Sequence, residues 1–526
     1  MSEYVRSSLK TAAKGISFVF IGMAVSQALW FAVRLLVVRN LSKEDLGVYS
    51  LALGVVSIVS LLATAGLCEG AARYISILLG QGRTADVEAV ERSSLKIGAI
   101  AGTGACVVMY LLSGIVSRYV FYKPELAVPL LVISFFIPAY VLTTIVASIL
   151  RGYGNISPRV YFVDIGQPFF FLIFLVPIFL LHLSFLSIIF AYVCSMAVAC
   201  ALIAFYAQRK SAISFFALRG GDGYTRELLN FSVPLLSVDF MFLIFRSADT
   251  LMLGRYGTAE QVGVYSVSLS LATFLFLPLL ALDAVYLPIA GELYAKDRSS
   301  DLARTYQVLT KWVFSLTLPV FFVLFFFPEM TIIFLFGERF VDAALPLRIL
   351  SLGYLFNAFL GTSGTLLLVF GLSNVIMRIS VAGAVLNVLL NYVLIKHMGF
   401  GIQGAAVASM FSFIAVSSGY AFALYRHSGI HPFSSGYLKP VLGSAVIGII
   451  IYAAAKSLPL HFWMLPAYFL VFIFGYFASL VVTRSLDSED VFLFGKMLDK
   501  AGVGPEAAQK FLRKISRENM KESDVI

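Results

Sequence analysis

Charged side chains stand inside segments of this chain that are otherwise apolar, and those positions are the ones able to do chemistry. Arg34 interrupts an aliphatic run near the amino terminus, and a later run carries Arg246 and Asp249 three residues apart, with Asp239 ten residues before Asp249. A charge at the centre of a membrane helix costs roughly 2.5–3.5 kcal/mol on insertion scales, so one that is kept usually marks a cavity, a pathway or a partner. Guanidinium presents planar donors that bind oxyanions bidentately, which makes Arg34 and Arg246 candidates to line a cavity for an anionic group. Asp249 and Asp239 are candidate positions for a coupling ion, H⁺ or Na⁺. Three-residue spacing sets Arg246 and Asp249 on one helix face, so an internal ion pair is the competing reading there.

Other polar positions carry two readings each. Glu69 and Arg73, four apart at the end of the second apolar run, fit an interfacial pair or a portal. Asp164 and Asp283 are further intramembrane acids, each open to satisfaction by neighbouring hydroxyls or backbone. Asn387 and Asn391 share a helix face, where amides usually hold helices together.

The elements that must position these residues follow from composition. Of 526 residues 60% are hydrophobic and 13% charged, against about 45–50% apolar and about 25% charged in a soluble domain. This excludes a soluble enzyme, a disordered scaffold and a secreted disulfide protein. A bilayer core about 30 Å thick needs about 20 apolar residues per helix. Fourteen such runs are predicted, at 15–38, 46–68, 96–117, 126–149, 160–181, 184–207, 230–253, 262–286, 310–335, 346–370, 375–396, 402–425, 439–457 and 461–483. The first is too long for a signal-peptide core and is expected to stay as an anchor.

Cys68, Cys106, Cys194 and Cys200 lie in or beside apolar runs without metal-ligand spacing, and the five histidines sit at or beyond span ends outside any catalytic motif. No catalytic residue, metal site or cofactor is expected, and loops of at most about 20 to 28 residues leave no room for an ATPase module. The net charge of +10 does not call for nucleic acid, because cytoplasmic loops collect Lys and Arg. With both termini cytoplasmic, 28 of the 39 Lys and Arg residues fall on that side, nine, Lys123 among them, fall on the other, and Arg34 and Arg246 lie within spans.

The chain also repeats itself. RNLSKEDLGVYS from Arg39 and RYGTAEQVGVYS from Arg255, 216 positions later, share six of twelve residues in register. Arg83, Asp86 and Lys96 match Arg298, Asp301 and Lys311, and Pro129 and Ser134 match Pro346 and Ser351. Each copy holds six predicted spans, an even number, so the copies share one orientation. This is the parallel repeat of carriers whose substrate path runs between two lobes. The expected architecture is an all-α polytopic membrane protein of 14 helices. It comprises an N-lobe (1–214), a C-lobe (215–428), helices 13 and 14 (429–486) and a cytoplasmic tail (487–526). Within the tail, Pro505 to Ile515 has the spacing of a short amphipathic helix.

RNLSKEDLGVYSLAL, DTLMLGRYGTAEQVGVYSVSLSLA from Asp249, LFGERFVDAALPLRILS from Leu335 and LNVLLNYVLIKHMGFGIQGAAVAS from Leu386 together resemble Wzx-type oligosaccharide flippases. These belong to the multidrug/oligosaccharidyl-lipid/polysaccharide exporter superfamily, and the similarity runs over about residues 10 to 485. The resemblance implies two six-helix lobes around a central cavity, with helices 13 and 14 outside. It also implies a polyprenyl-pyrophosphate-linked sugar turned over from the cytoplasmic to the outer leaflet by alternating access, for surface polysaccharide biosynthesis. On that basis Arg34, Arg246 and Arg73 would hold the pyrophosphate or acidic sugars. The implied partners are the lipid-linked oligosaccharide, membrane lipids and other polysaccharide-assembly membrane proteins, and the implied location is the cell membrane. A polar headgroup cannot cross hydrocarbon unaided, so the physical demand and the resemblance agree. The rivals are a cation-coupled multidrug antiporter of the same superfamily and a membrane-embedded glycan ligase or polymerase.

Overall fold

A computed structural model of the chain describes residues 3–211, 224–433 and 465–482, with isolated positions between 443 and 453. In hydrocarbon every backbone N–H and C=O must be bonded within the protein, which leaves helices as the economical way for an apolar run to cross. The described elements are helical accordingly. They are α1 (Glu3–Asn40), α2 (Lys43–Thr64), α3 (Leu67–Gly80), α4 (Thr84–Ile115), α5 (Ala127–Ile133), α6 (Phe136–Gly152), α7 (Gln167–Leu180), α8 (Phe185–Ser211) and α9 (Thr225–Tyr256). The second half follows with α10 (Ala259–Ala272), α11 (Leu277–Ala295), α12 (Ser299–Phe326), α13 (Pro328–Phe336), α14 (Ala344–Leu360), α15 (Ser363–Val369), α16 (Ser373–Asn391), α17 (Gly401–Ser428) and α18 (Leu465–Val482).

Eleven stretches among the described residues are long and apolar enough to span a membrane. They coincide with expected spans one to six and eight to twelve. The seventh corresponds to α9, several of whose side chains are outside the described residues, and the fourteenth to α18. Most of the thirteenth, and the tail with its expected amphipathic segment, also lie outside them.

Several spans are built from more than one helix. Ala65 and Gly66, with φ of 49° and 68°, separate α2 from α3. Gly361, at φ +63°, separates α14 from α15, where a Cβ would strike the Thr310 side chain. A π-helical segment, Arg159–Gly166, leads into α7, and such segments recur where function asks for an irregular helix.

By packing, the chain forms two units: Met1–Val267 with Ala384–Ala408, and Ser268–Gly383 with Ser409–Ile526. In the first, α6 lies among α3, α4 and α8, and α9 packs on α2 and α3. Phe136 stacks on Tyr192 at 4.8 Å in its aromatic core. In the second, α12 lies among α11, α14 and α18. Phe322 of α12 stacks on Phe472 of α18 at 3.9 Å.

The repeat is visible as structure within the first unit. Ser42 caps α2 by accepting from the Asp45 amide at 3.0 Å. Thr258, 216 positions later, forms a reciprocal capping box with Gln261, each backbone N–H donating to the other's side chain at 3.1 Å. One turn further on, Gly47 and Gly263 face each other's helix. A Cβ on Gly47 would lie 1.8 Å from the Ala259 carbonyl oxygen, and one on Gly263 would lie 2.0 Å from that of Lys43. Both pairs are repeat equivalents, and a contact that exchanges equivalents is what a local twofold axis produces.

Candidate functional site

Just inside this paired turn, α10 carries Tyr265 and Ser266, and two intramembrane charges converge on them. Arg34 of α1 donates from Nη2 to the Ser266 carbonyl at 2.7 Å. Its Nε is buried without a hydrogen-bond partner among the described residues. The guanidinium therefore keeps an unused donor inside the membrane, which is costly unless something accepts from it. Tyr49, the repeat equivalent of Tyr265, is buried nearby on α2.

Asp249 of α9 is 2% exposed. Its Oδ2 accepts from the Tyr265 hydroxyl at 2.5 Å. Its Oδ1 accepts from Asn391 Nδ2 at 2.7 Å and from Asn387 Nδ2 at 3.2 Å, both on α16. A buried carboxylate is tolerable when its lone pairs are met by donors, and here neutral donors from two further helices meet them. Asn387 and Asn391 hold helices together, as their spacing suggested, and the group they hold is Asp249. Asn391 Oδ1 is buried without a partner among the described residues.

Arg73 is placed differently from the expected Glu69 pair. Its guanidinium stacks on the Phe231 ring of α9, with Cζ 4.3 Å from the centroid, and Tyr74 meets the same ring edge-on at 5.9 Å. Glu69 instead accepts from Arg151 of α6 at 2.8 Å, and Arg151 also donates to the Cys68 carbonyl at 3.1 Å. Glu69 lies in the first turn of α3, on the side from which α6 approaches, while Arg73 reaches toward α9. Arg246 and Asp239 both lie on α9, and their side chains are outside the described residues.

A residue that sequence reasoning assigned only to the outer-face charge count proves to be built in. Lys123, 7% exposed, donates to the carbonyls of Gly254 and Gly257 at 2.7 and 2.8 Å. These are among the carbonyls left open at the carboxyl end of α9, so the ammonium caps the helix that carries Asp249. Burial pulls Lys123 below its ordinary value, with Glu125 acting the other way. Beside it, Arg255 stacks on the Tyr122 ring at 4.1 Å. The signal available in the sequence was the position of Lys123 two residues after Phe121 at a span boundary, which does not distinguish a cap from a solvated lysine.

These helices, their internal repeat and the buried charges define a multi-pass membrane protein. The structure is similar to the lipid II flippase MurJ in an inward closed conformation, with a TM-score of 0.72 and 15% identity, covering 89% of this chain and 99% of that one. It is also similar to an inward-facing multidrug resistance MATE family transporter of the MOP superfamily, with a TM-score of 0.66 and 17% identity, covering 78% and 95%. The chain belongs to the polysaccharide biosynthesis protein family, whose profile matches residues 36–345. It is 26% identical over 432 residues to an uncharacterised membrane protein of Methanocaldococcus jannaschii, covering 76% of this chain and 82% of that protein. It is 22% identical over 264 residues to the teichuronic acid biosynthesis protein TuaB of Bacillus subtilis, covering 50% of this chain and 53% of TuaB. Family and fold both agree with the resemblance read from the sequence.

Proposed function

We propose that this protein is a flippase that turns a polyprenyl-pyrophosphate-linked oligosaccharide from the inner to the outer leaflet of the cell membrane by alternating access, feeding surface polysaccharide assembly. The observation that carries the reading is Arg34, a half-buried arginine of a polysaccharide biosynthesis family member whose buried guanidinium Nε–H has no partner among the described residues. A pyrophosphate is the headgroup that such a donor suits. Similarity to TuaB, a teichuronic acid biosynthesis protein, and to a lipid II flippase fold supports the same substrate class.

In this reading Arg34, Arg246 and Arg73 hold the headgroup, Asp249 with Asp239 supplies the coupling-ion position for H⁺ or Na⁺, and the lipid tail stays among membrane lipids. Both termini are cytoplasmic, and other polysaccharide-assembly membrane proteins receive the product. Replacing Arg34 and Arg246 together by Gln is expected to abolish surface-polysaccharide export in a flippase-deficient strain while membrane expression persists. Normal complementation by that double variant would overturn the assigned roles.

A second reading, a cation-coupled multidrug antiporter, is favoured by the buried Asp249 carboxylate and the likeness to MATE folds. Drug sensitivity of a deletion strain with unchanged surface glycans would select it. Turnover of a lipid-linked donor by the purified protein would revive the ligase or polymerase alternative.

A further inference from the structure

The second unit holds an intramembrane carboxylate that the reading above leaves unused. Asp283 lies in the apolar stretch LPLLALDAVYLP of α11. One of its oxygens, Oδ1, accepts from Thr365 Oγ1 at 2.6 Å, and no Lys, Arg or His among the described residues is paired with it. The elements packed against α11 are α12, α15 and the short 3₁₀ segment Thr273–Phe276. The titratable groups in range of Asp283 are Tyr286 on its own helix and Tyr306 on α12. Both are phenols, which ordinarily titrate near about 10.

Tyr286 is fully buried, and its hydroxyl has no partner among the described residues. The Thr362 hydroxyl, one residue before α15, is likewise buried and unpartnered. Tyr306 is already engaged, by the Leu360 carbonyl at 3.0 Å and Ser363 Oγ at 2.7 Å. A lone ionised carboxylate in such a place is expensive, and a proton relieves that cost. Hard metal cations take about six or more oxygens, whereas among the described residues only Thr365 is hydrogen-bonded to the Asp283 side chain. A proton, by contrast, neutralises Asp283 and leaves the Thr365 bond in place, beside a Tyr286 hydroxyl that makes no hydrogen bond to it.

The repeat supplies an internal comparison. Position 283 corresponds to Cys68 at the 215-residue offset that relates Arg83 to Arg298 and Lys96 to Lys311. Thr365 corresponds to Ser148 at the 217-residue offset that relates Pro129 to Pro346. In the first unit the Cys68 thiol lies within reach of the Ser148 and Thr144 hydroxyls. One hydroxyl of this cradle is thus present in both copies, as Ser148 and Thr365, whereas Thr144 falls on Gly361 and the carboxylate stands only in the second copy. Thr365 also stands four residues past Gly361, where α14 gives way to α15, so the charge of Asp283 bears directly on that junction.

We propose that Asp283, held by Thr365 beside the buried Tyr286, is a proton-binding site of the second unit, neutral when the proton is bound and a carboxylate when it is released during the transport cycle. The cycle itself rests on the transporter reading above, but the site can be tested without it.

The full-length protein in lipid nanodiscs, with no substrate, is compared at acidic and alkaline pH by infrared difference spectroscopy. Wild type should show a protonated-carboxyl C=O band that is lost on alkalinisation. Asp283→Asn, nearly isosteric and still able to accept from Thr365, should lose that part of the band, and Asp283→Glu should restore it at shifted frequency. Buried Glu91 and half-buried Asp164 make the wild-type minus Asp283→Asn difference the decisive spectrum. An Asp283→Asn spectrum identical to wild type overturns the site. Loss of the band on adding sodium at fixed pH overturns the assignment to a proton. Should the band behave as expected while the protein fails to move lipid-linked sugar, the proton site stands and the proposed cargo falls.

Discussion

Arg34 and Asp249 grip adjacent residues of a single helical turn: Arg34 donates to the Ser266 carbonyl at 2.7 Å, and Asp249 accepts from the Tyr265 hydroxyl at 2.5 Å. The candidate headgroup ligand and the candidate ion site are therefore joined through α10 by one peptide unit. An event that changes either grip strains the other.

Removing the Tyr265 hydroxyl leaves the Asp249 carboxylate short of one donor, and an unmet buried polar group costs about 1–3 kcal/mol. Tyr265→Phe should lower thermal stability by that order, and Asp249→Asn should cost less, because the amide no longer carries a charge. Thermal unfolding of both singles and the double should return a coupling of about 0.5–3 kcal/mol. Strict additivity would show that the hydrogen bond carries no energy.

The approach of Gly47 to the Ala259 carbonyl and of Gly263 to the Lys43 carbonyl admits no side chain. Gly47→Ala and Gly263→Ala should each destabilise by at least the 1–3 kcal/mol or so typical of overpacking. The two should have similar effects, because the contact is reciprocal. Melting midpoints in detergent provide the check, and a neutral effect at either position would mean that α2 and α10 are farther apart.

Lys123→Met leaves the Gly254 and Gly257 carbonyls without their donor and should cost about 1–3 kcal/mol. The pH dependence has a definite sign. Lys123 titrates lower in the folded chain than when unfolded, because burial disfavours its charge. Between those two values the unfolded state binds more protons, so stability rises with pH. Wild type should therefore gain on Lys123→Met as pH climbs from neutrality toward about 10.4, the ordinary lysine value. Melting curves at several pH values report the difference, and a gap that narrows would reverse the assignment.

Glu69 and Arg151 form a partly exposed pair, with side chains 56% and 31% accessible. Glu69→Gln should change stability by at most about 1 kcal/mol and leave Arg73 seated on Phe231. Phe231→Leu removes the ring under Arg73 and should cost more. Denaturation of the two variants side by side distinguishes them, and a larger loss for Glu69→Gln would restore Arg73 to an ionic partnership.

Hydropathy made the spans legible because a membrane helix announces itself over about 20 residues, and the repeat was legible because GVYS recurs where Gly47 and Gly263 must touch. Side-chain partners were less readable. Asn387 and Asn391 announced a polar helix face, but their acceptor, Asp249, lies 138 and 142 positions away, beyond anything spacing can indicate. Glu69 and Arg73 were read together because they are four apart, whereas α6 and α9 flank α3 and take one each. Lys123 looked like an outer-face charge because burial at a loop depends on which helix end arrives there.

Reconstituting the purified protein in vesicles with a fluorescent polyprenyl-pyrophosphate oligosaccharide, and following its exposure to a membrane-impermeant quencher, measures the proposed translocation itself. Time-dependent translocation is expected for wild type, and none above empty vesicles when Arg34 and Arg246 are both Gln. Wild type no faster than empty vesicles, or a double variant as fast as wild type, would contradict the proposed function.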